Sequence, residues 1–111
     1  MELLSTLYFT FIINKFMSRS VCRLGDRCSG HGCFPPRTNI QASGNVFANG
    51  IGVHRKSDGW GIHCCDDSCH ASNLAKGSST VFANGLDLGR IGDPVACGSA
   101  VVEGSRNVFS G

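Results

Sequence analysis

Four histidines and seven cysteines in a chain of 111 residues are the side chains with the most chemistry to offer. Imidazole and thiolate are borderline-soft ligands, and spacing decides whether they can meet at one ion. Three of them keep a register with a repeated Arg-x-x-Asp phrase, found at Arg23/Asp26, Arg55/Asp58 and Arg90/Asp93. His31 lies five residues after Asp26, His63 five after Asp58, and Cys97 four after Asp93. If a threefold axis relates the three phrases, these side chains converge and suit a tetrahedral Zn²⁺; Fe²⁺ accepts the same donors. A closed site needs a fourth ligand. The run His63-Cys64-Cys65-Asp66-Asp67-Ser68-Cys69-His70 offers His70 as the first choice, with Cys64, Cys65 and Cys69 as alternates. Neither a Cys-x-x-Cys knuckle nor a His-Glu-x-x-His helix motif occurs.

Other uses of these residues compete. Seven is odd, so disulfides alone leave one thiol free or paired between chains. Cys33 and Cys65 each sit seven residues after their Asp, which would let them face each other. In a reducing cytosol they stay thiols. His54 has Cys22 and Gly89 at the equivalent positions, so it is assigned no role. No Ser-His-Asp or Cys-His arrangement stands out for nucleophilic catalysis, and the chain is read as non-enzymatic. Arg-x-x-Asp, used three times, reads as a structural corner whose Asp accepts backbone N–H bonds while Arg pairs with it. Gly30-His31-Gly32 and Gly50-Ile51-Gly52 lack the strand–loop–helix setting of a phosphate loop. Trp60 and Pro35-Pro36 read as loop packing.

The elements that must position the ligands come from a second repeat. Asn45-Val46-Phe47-Ala48-Asn49-Gly50, Thr80-Val81-Phe82-Ala83-Asn84-Gly85 and Asn107-Val108-Phe109-Ser110-Gly111 share one phrase. Val-Phe-Ala is strand-forming, and Asn-Gly is a strong two-residue hairpin signal. The expected returning strands are 51–56 and 86–91, each ending at an Arg-x-x-Asp. The third copy lacks a returning strand, and the first Arg-x-x-Asp, after Val21, lacks an outgoing one. The strand near Val108 is therefore expected to pair with the strand near Val21. This predicts an all-β fold: a small cone of three pseudo-threefold hairpins, a metal near its apex, and helix nearly absent. Repetition at such periods means one supersecondary unit used several times.

Composition sets the frame. Charged residues are 16% and formal net charge is +2, so no dense basic stripe exists to neutralise phosphates and no nucleic-acid partner is expected. At 41% hydrophobic content the chain is not a disordered one. A domain this small calls for a staple, whether metal, disulfide or partner. All fifteen Gly and all seven Cys follow residue 20, whereas residues 1–16 are apolar and hold none of either. That stretch lacks the basic start and small-residue cleavage site of a signal peptide, and its apolar run is too short for a span. The reading adopted is an extension outside the domain, either an anchor or the result of a true start at Met17, with residues 17–111 as the folded unit.

Arg23-Leu24-Gly25-Asp26, Ser29-Gly30-His31-Gly32, the Val-Phe-Ala-Asn-Gly phrases and Arg90-Ile91-Gly92-Asp93-Pro94 resemble the PAAR-repeat family. His31-Gly32-Cys33-Phe34-Pro35-Pro36-Arg37, His63-Cys64-Cys65 and Cys69-His70-Ala71 resemble its small stand-alone members. The likeness runs over residues 18–111. It departs at Arg55-Lys56-Ser57-Asp58, where Arg-x-Gly-Asp is typical. The resemblance implies a metal-tipped cone whose triangular base caps a trimeric β-helical spike, one tip per trimer. Such spikes belong to a type VI secretion system or a contractile phage tail. It further implies a three-His, one-Cys site on His31, His63, His70 and Cys97; His70 rests mainly on this likeness. The expected life history is synthesis in the cytoplasm, assembly on the spike, delivery outside the cell and transient contact with a punctured membrane. With the sequence ending at Gly111, a tip without an appended effector domain is expected. The rival readings are a small metal-binding or redox Cys/His protein and a disulfide-stapled secreted module.

Overall fold

Residues 18–111, the part described in the computed structural model, form eight strands and no helix. They are β1 (Arg19–Ser20), β2 (Phe47–Ala48), β3 (Ile51–Gly52), β4 (Gly59–Cys65), β5 (Ser68–Asn73), β6 (Phe82–Ala83), β7 (Leu86–Asp87) and β8 (Phe109–Ser110). The extension 1–16 and the start at Met17 lie outside the described residues. Asn49 and Gly50 have φ of 57° and 75°, and Asn84 and Gly85 have 55° and 76°. Two successive positive values make the tight turn whose twist matches its flanking strands. They close β2 on β3 and β6 on β7. The third hairpin is assembled from the two ends: β1 pairs antiparallel with β8, Arg19 opposite Ser110 and Ser20 opposite Phe109.

Regular pairing in the returning strands stops at Gly52 and Asp87, earlier than the expected 56 and 91. There each strand leaves its own hairpin and reaches the neighbouring unit. Single antiparallel bridges join Arg23 to Val53, Arg55 to Leu88 and Val21 to Arg90. One residue on from each valine or leucine, the chains meet around an axis. His54 N–H donates to the Cys22 carbonyl at 2.9 Å, Cys22 N–H to Gly89 at 2.9 Å, and Gly89 N–H to His54 at 2.8 Å. Cys22 and His54 fill this axis and are wholly buried. A Cβ on Gly89 would sit 2.9 Å from Leu74 Cδ2 and 3.0 Å from the His54 carbonyl oxygen, so the third position is glycine for lack of room.

Beyond the ring, each Arg-x-x-Asp is a corner of one design. The Asp carboxylate accepts the Arg backbone N–H at 2.8, 2.9 and 2.8 Å in the three copies. It also takes the guanidinium of the same Arg, at 2.9 Å from Nε in the second and third. Asp58 and Asp93 are 2% exposed, and such a buried carboxylate is tolerable only because it is paired and hydrogen-bonded. The residue before each Asp is left-handed: Gly25 at 88°, Ser57 at 76° and Gly92 at 91°. Ser57 therefore follows the glycine conformation despite its Cβ.

The units enclose two cores. The lower one, among the hairpins, holds Val21, Ala48, Val53, Ala83 and Leu88. The upper one, past the ring, holds Cys22, Cys28, Trp60, Leu74, Val95 and Val101. Trp60, read from sequence as loop packing, lies instead in β4 and is 2% exposed within that core. Chain returning from the upper layer is fixed alike in every unit: Asn39, Leu74 and Val101 each donate N–H to the corner Asp carbonyl at 3.0 Å.

A left-handed φ costs a non-glycine residue roughly 1 kcal/mol or more. Ser57→Gly should therefore raise the free energy of unfolding by about 1 kcal/mol, and Gly25→Ser should lower it by a similar amount. Urea midpoints at constant slope measure both. A Ser57→Gly protein no more stable than its parent would show that the corner carries no strain.

Candidate metal centre

The second unit carries the longest apical loop, a hairpin of β4 and β5 turned at Asp66–Asp67, with Asp66 at φ 54°. Its register places His63 opposite His70, Cys64 opposite Cys69, and Cys65 opposite Ser68. Side chains alternate between faces along a strand, so the two histidines share one face and Cys64 and Cys69 the other. A register shift between Trp60 and His63 lets Trp60 enter the upper core while His63 still faces the axis. In the first unit a tight turn, bridged between His31 and Phe34, presents His31. In the third, the loop from Asp93 to the returning Val101 is shorter than the loops from Asp26 to Asn39 and from Asp58 to Leu74; its turn at 95–99 is closed by Val95 N–H to the Ser99 carbonyl at 2.9 Å, and Cys97 stands on it, packed against the upper core. The shorter loop goes with an offset of four rather than five from the Asp.

His31, His63, His70 and Cys97 meet, each offering one ligand atom, all within 4.8 Å of one another. His63 Nε2 is 2.7 Å from His70 Nε2, His70 Nε2 is 3.1 Å from His31 Nε2, and Cys97 Sγ is 3.9 Å from His63 Nε2. A tetrahedral Zn²⁺ with ordinary bond lengths sets edges of about 3.3 Å between nitrogens and about 3.6 Å from nitrogen to sulfur. These three separations stand within about 0.6 Å of those edges, and the widest pair in the set, at up to 4.8 Å, has about 1 Å to close around an ion. The tautomer fits as well. His63 Nδ1 lies 2.8 Å from the Pro35 carbonyl, which can only accept, so Nδ1–H donates and Nε2 turns a lone pair inward. Burial, then the neighbouring His63 and His31, pushes the His70 pKa down and favours the neutral ring a ligand must be. The donor set, three imidazoles and one thiol, could hold a metal ion.

Phe34, to which sequence reasoning gave no role, covers the cluster. Its ring centroid is 4.4 Å from that of His70, 4.8 Å from His31 and 5.0 Å from His63. Cys64, Cys65 and Cys69, the alternates, do not join the ligand cluster. Cys64 is bonded to Cys69 and Cys65 to Cys33. The pairing of Cys33 with Cys65 is the one their equal offsets suggested. His70 could have been found from residues alone: positions 63 and 70, and 64 and 69, are symmetric about Asp66–Asp67, which a two-residue turn converts into cross-strand pairs.

Three hairpins closed about a pseudo-threefold axis, with a His₃Cys cluster past the upper core, define an all-β structural domain built as a pointed cone. A model of the PAAR motif matches residues 35–103, and the chain belongs to the PAAR motif family. That motif marks spike-tip proteins of contractile injection systems, a structural rather than enzymatic family. The search of curated proteins returns no match.

Metal held by the folded chain alone stabilises it by mass action, about 4 kcal/mol when free metal exceeds Kd a thousandfold. A chelator should therefore lower the melting temperature of zinc-loaded protein, while His63→Ala should contain little zinc and melt at the same temperature with or without chelator. Zinc retained by His63→Ala at the parental ratio would exclude that ligand. In the metal-free protein, burial also pushes the His54 pKa down. For His54 and His70 the unfolded chain, near 6.5, binds protons before the folded one does. Their contribution is thus full above that pH and is lost as pH falls below it. The urea midpoint should drop between about pH 7.5 and about pH 5; a midpoint that rises on acidification would reverse the sign.

Proposed function

We propose that this chain caps a trimeric β-helical spike, docking through its hairpin ends and leading with the metal-held apex. The observation that carries this reading is a threefold set of exposed phenylalanines. Phe47, Phe82 and Phe109, one from each unit, are 58%, 54% and 56% exposed. They rim an apolar concavity of ≈ 380 Å³ floored by Val21, Val53, Leu88 and Val108. Isolated exposed apolar residues are ordinary, but a contiguous apolar patch marks an interaction surface. Nearly equal exposure in three repeats of one chain suits a partner with three equal surfaces. Burying each phenylalanine is worth roughly 1.5–3 kcal/mol. The end of a β-helical trimer presents open strand edges, which need covering, and strand addition at the hairpins supplies backbone pairing as well as apolar contact.

The metal is taken to be Zn²⁺, with Fe²⁺ the alternative, bound by His31, His63, His70 and Cys97. It stiffens an apex too narrow to enclose a core. A rigid tapered tip suits membrane puncture during contraction. The chain is then made in the cytoplasm, mounted on a type VI or phage-tail spike, and carried out of the cell.

Binding to a purified trimeric β-helical spike from the same gene cluster tests the docking face. Phe47, Phe82 and Phe109 are exposed, so Phe→Asp at all three should leave metal content and melting unchanged. Affinity should fall by roughly a hundredfold or more, as expected for central aromatic anchors. Unchanged affinity would move the docking face elsewhere.

A further inference from the structure

The cysteines outside the metal cluster fall into two groups by burial. Cys22 and Cys28 are enclosed in the upper core, at 0% and 2% exposure, and are unpaired. Cys33, Cys64 and Cys69 are exposed and Cys65 is half-buried, and these four form the two disulfides. The thiols a soluble oxidant can reach are therefore the ones positioned to pair.

Each imidazole of the cluster has one of these cysteines beside it. Cys33 is two residues from His31, Cys64 follows His63, and Cys69 precedes His70. Cys64–Cys69 ties β4 to β5 one step from the His63/His70 pair, with Cα atoms 4.1 Å apart. Cys33–Cys65 ties the His31 turn to the same hairpin, with Cα atoms 5.5 Å apart across 32 residues of chain. Together they make the three histidine-bearing segments one covalent unit. Neither bond reaches the ring, the corners or the lower core. Their effect is confined to the apex, where apolar packing is sparse and the loops could otherwise spread. A polydentate site loses its ion when ligand-bearing segments separate, and cross-links that hold them together oppose that step.

We propose that Cys33–Cys65 and Cys64–Cys69 are a redox-controlled clamp on metal retention: oxidation locks His31, His63 and His70 around the ion, and reduction lets it go. Each S–S bond forms as two thiols give up two protons and two electrons. A small-molecule disulfide, such as oxidised glutathione, accepts both and leaves as two thiols. Cys97, held against the imidazoles, becomes a metal thiolate and is withheld from exchange, as are the buried Cys22 and Cys28. Metal loaded while the apex is reduced is retained once it is oxidised. The clamp rests on the metal-centre reading above.

The test compares the full zinc-loaded chain in two states, treated with oxidised glutathione or with a trialkylphosphine. Intact mass verifies the loss of four hydrogens, and transfer of zinc to a chromogenic chelator gives the release rate. The oxidised form should release zinc about tenfold or more slowly, and phosphine should restore the fast rate. The variant carrying Cys33→Ser, Cys64→Ser, Cys65→Ser and Cys69→Ser should bind one zinc and release it at the fast rate whether or not oxidant is added. Equal rates from the two wild-type forms, with masses showing both disulfides, would overturn the clamp while leaving the metal site intact. So would four thiols that remain free after oxidant. Absence of zinc from both forms would instead overturn the metal site and the clamp with it.

Discussion

Three backbone hydrogen bonds running in a circle hold this molecule to its shape. Each unit donates to one neighbour and accepts from the other through Cys22, His54 and Gly89, so no unit can be displaced without breaking two contacts. The circle is narrow, and its consequences reach outward. It leaves room for only two side chains on the axis, which Cys22 and His54 take and Gly89 concedes. It starts every Arg-x-x-Asp corner at the same height, and so sets three apical loops pointing at one spot. On the other side it sets three strand pairs, two turned at Asn-Gly and the third made of β1 and β8, each with one exposed phenylalanine. The ligand cluster and the phenylalanine triad are thus two ends of one symmetry.

That symmetry is kept where it is structural and broken where chemistry differs. The corner bonds repeat to within a tenth of an ångström in their backbone contacts. The apical loops do not repeat at all: a turn in the first unit, a long hairpin in the second and a short turn in the third. Their unequal lengths deliver one, two and one ligands to a four-coordinate point, which three identical loops could not. The hairpin ends also tolerate a substitution. Gly111 stands where Asn49 and Asn84 stand in the other copies, and its carbonyl accepts the Ser78 hydroxyl at 2.6 Å, as the Asn84 side chain accepts Ser43 at 2.7 Å.

Features that depend on local chemistry were legible in the sequence. Asn-Gly located the hairpins, the repeated Asp marked the corners, and common offsets from it singled out His31, His63 and Cys97. The pairing of the two chain ends followed from each lacking what the other has. What depends on tertiary contact was less so. The returning strands break early because Val53 and Leu88 pair with a neighbouring unit, which no single repeat reveals. Trp60 entered the core through a register shift in β4, invisible to spacing. His54, assigned no role because its equivalents differ chemically, proved to fill the axis, with its Nδ1 2.7 Å from the Gln41 carbonyl. The use of Phe34 over the imidazoles follows only from how the His31 turn folds back.

The central claim is that one chain, threefold within itself, sits on a trimer. Native mass spectrometry of this protein mixed with the proposed trimeric β-helical spike measures that directly. The account predicts a complex of one tip chain with three spike chains, unchanged when tip is in excess. Three tips per trimer, or a one-to-one complex with monomeric spike, would contradict it.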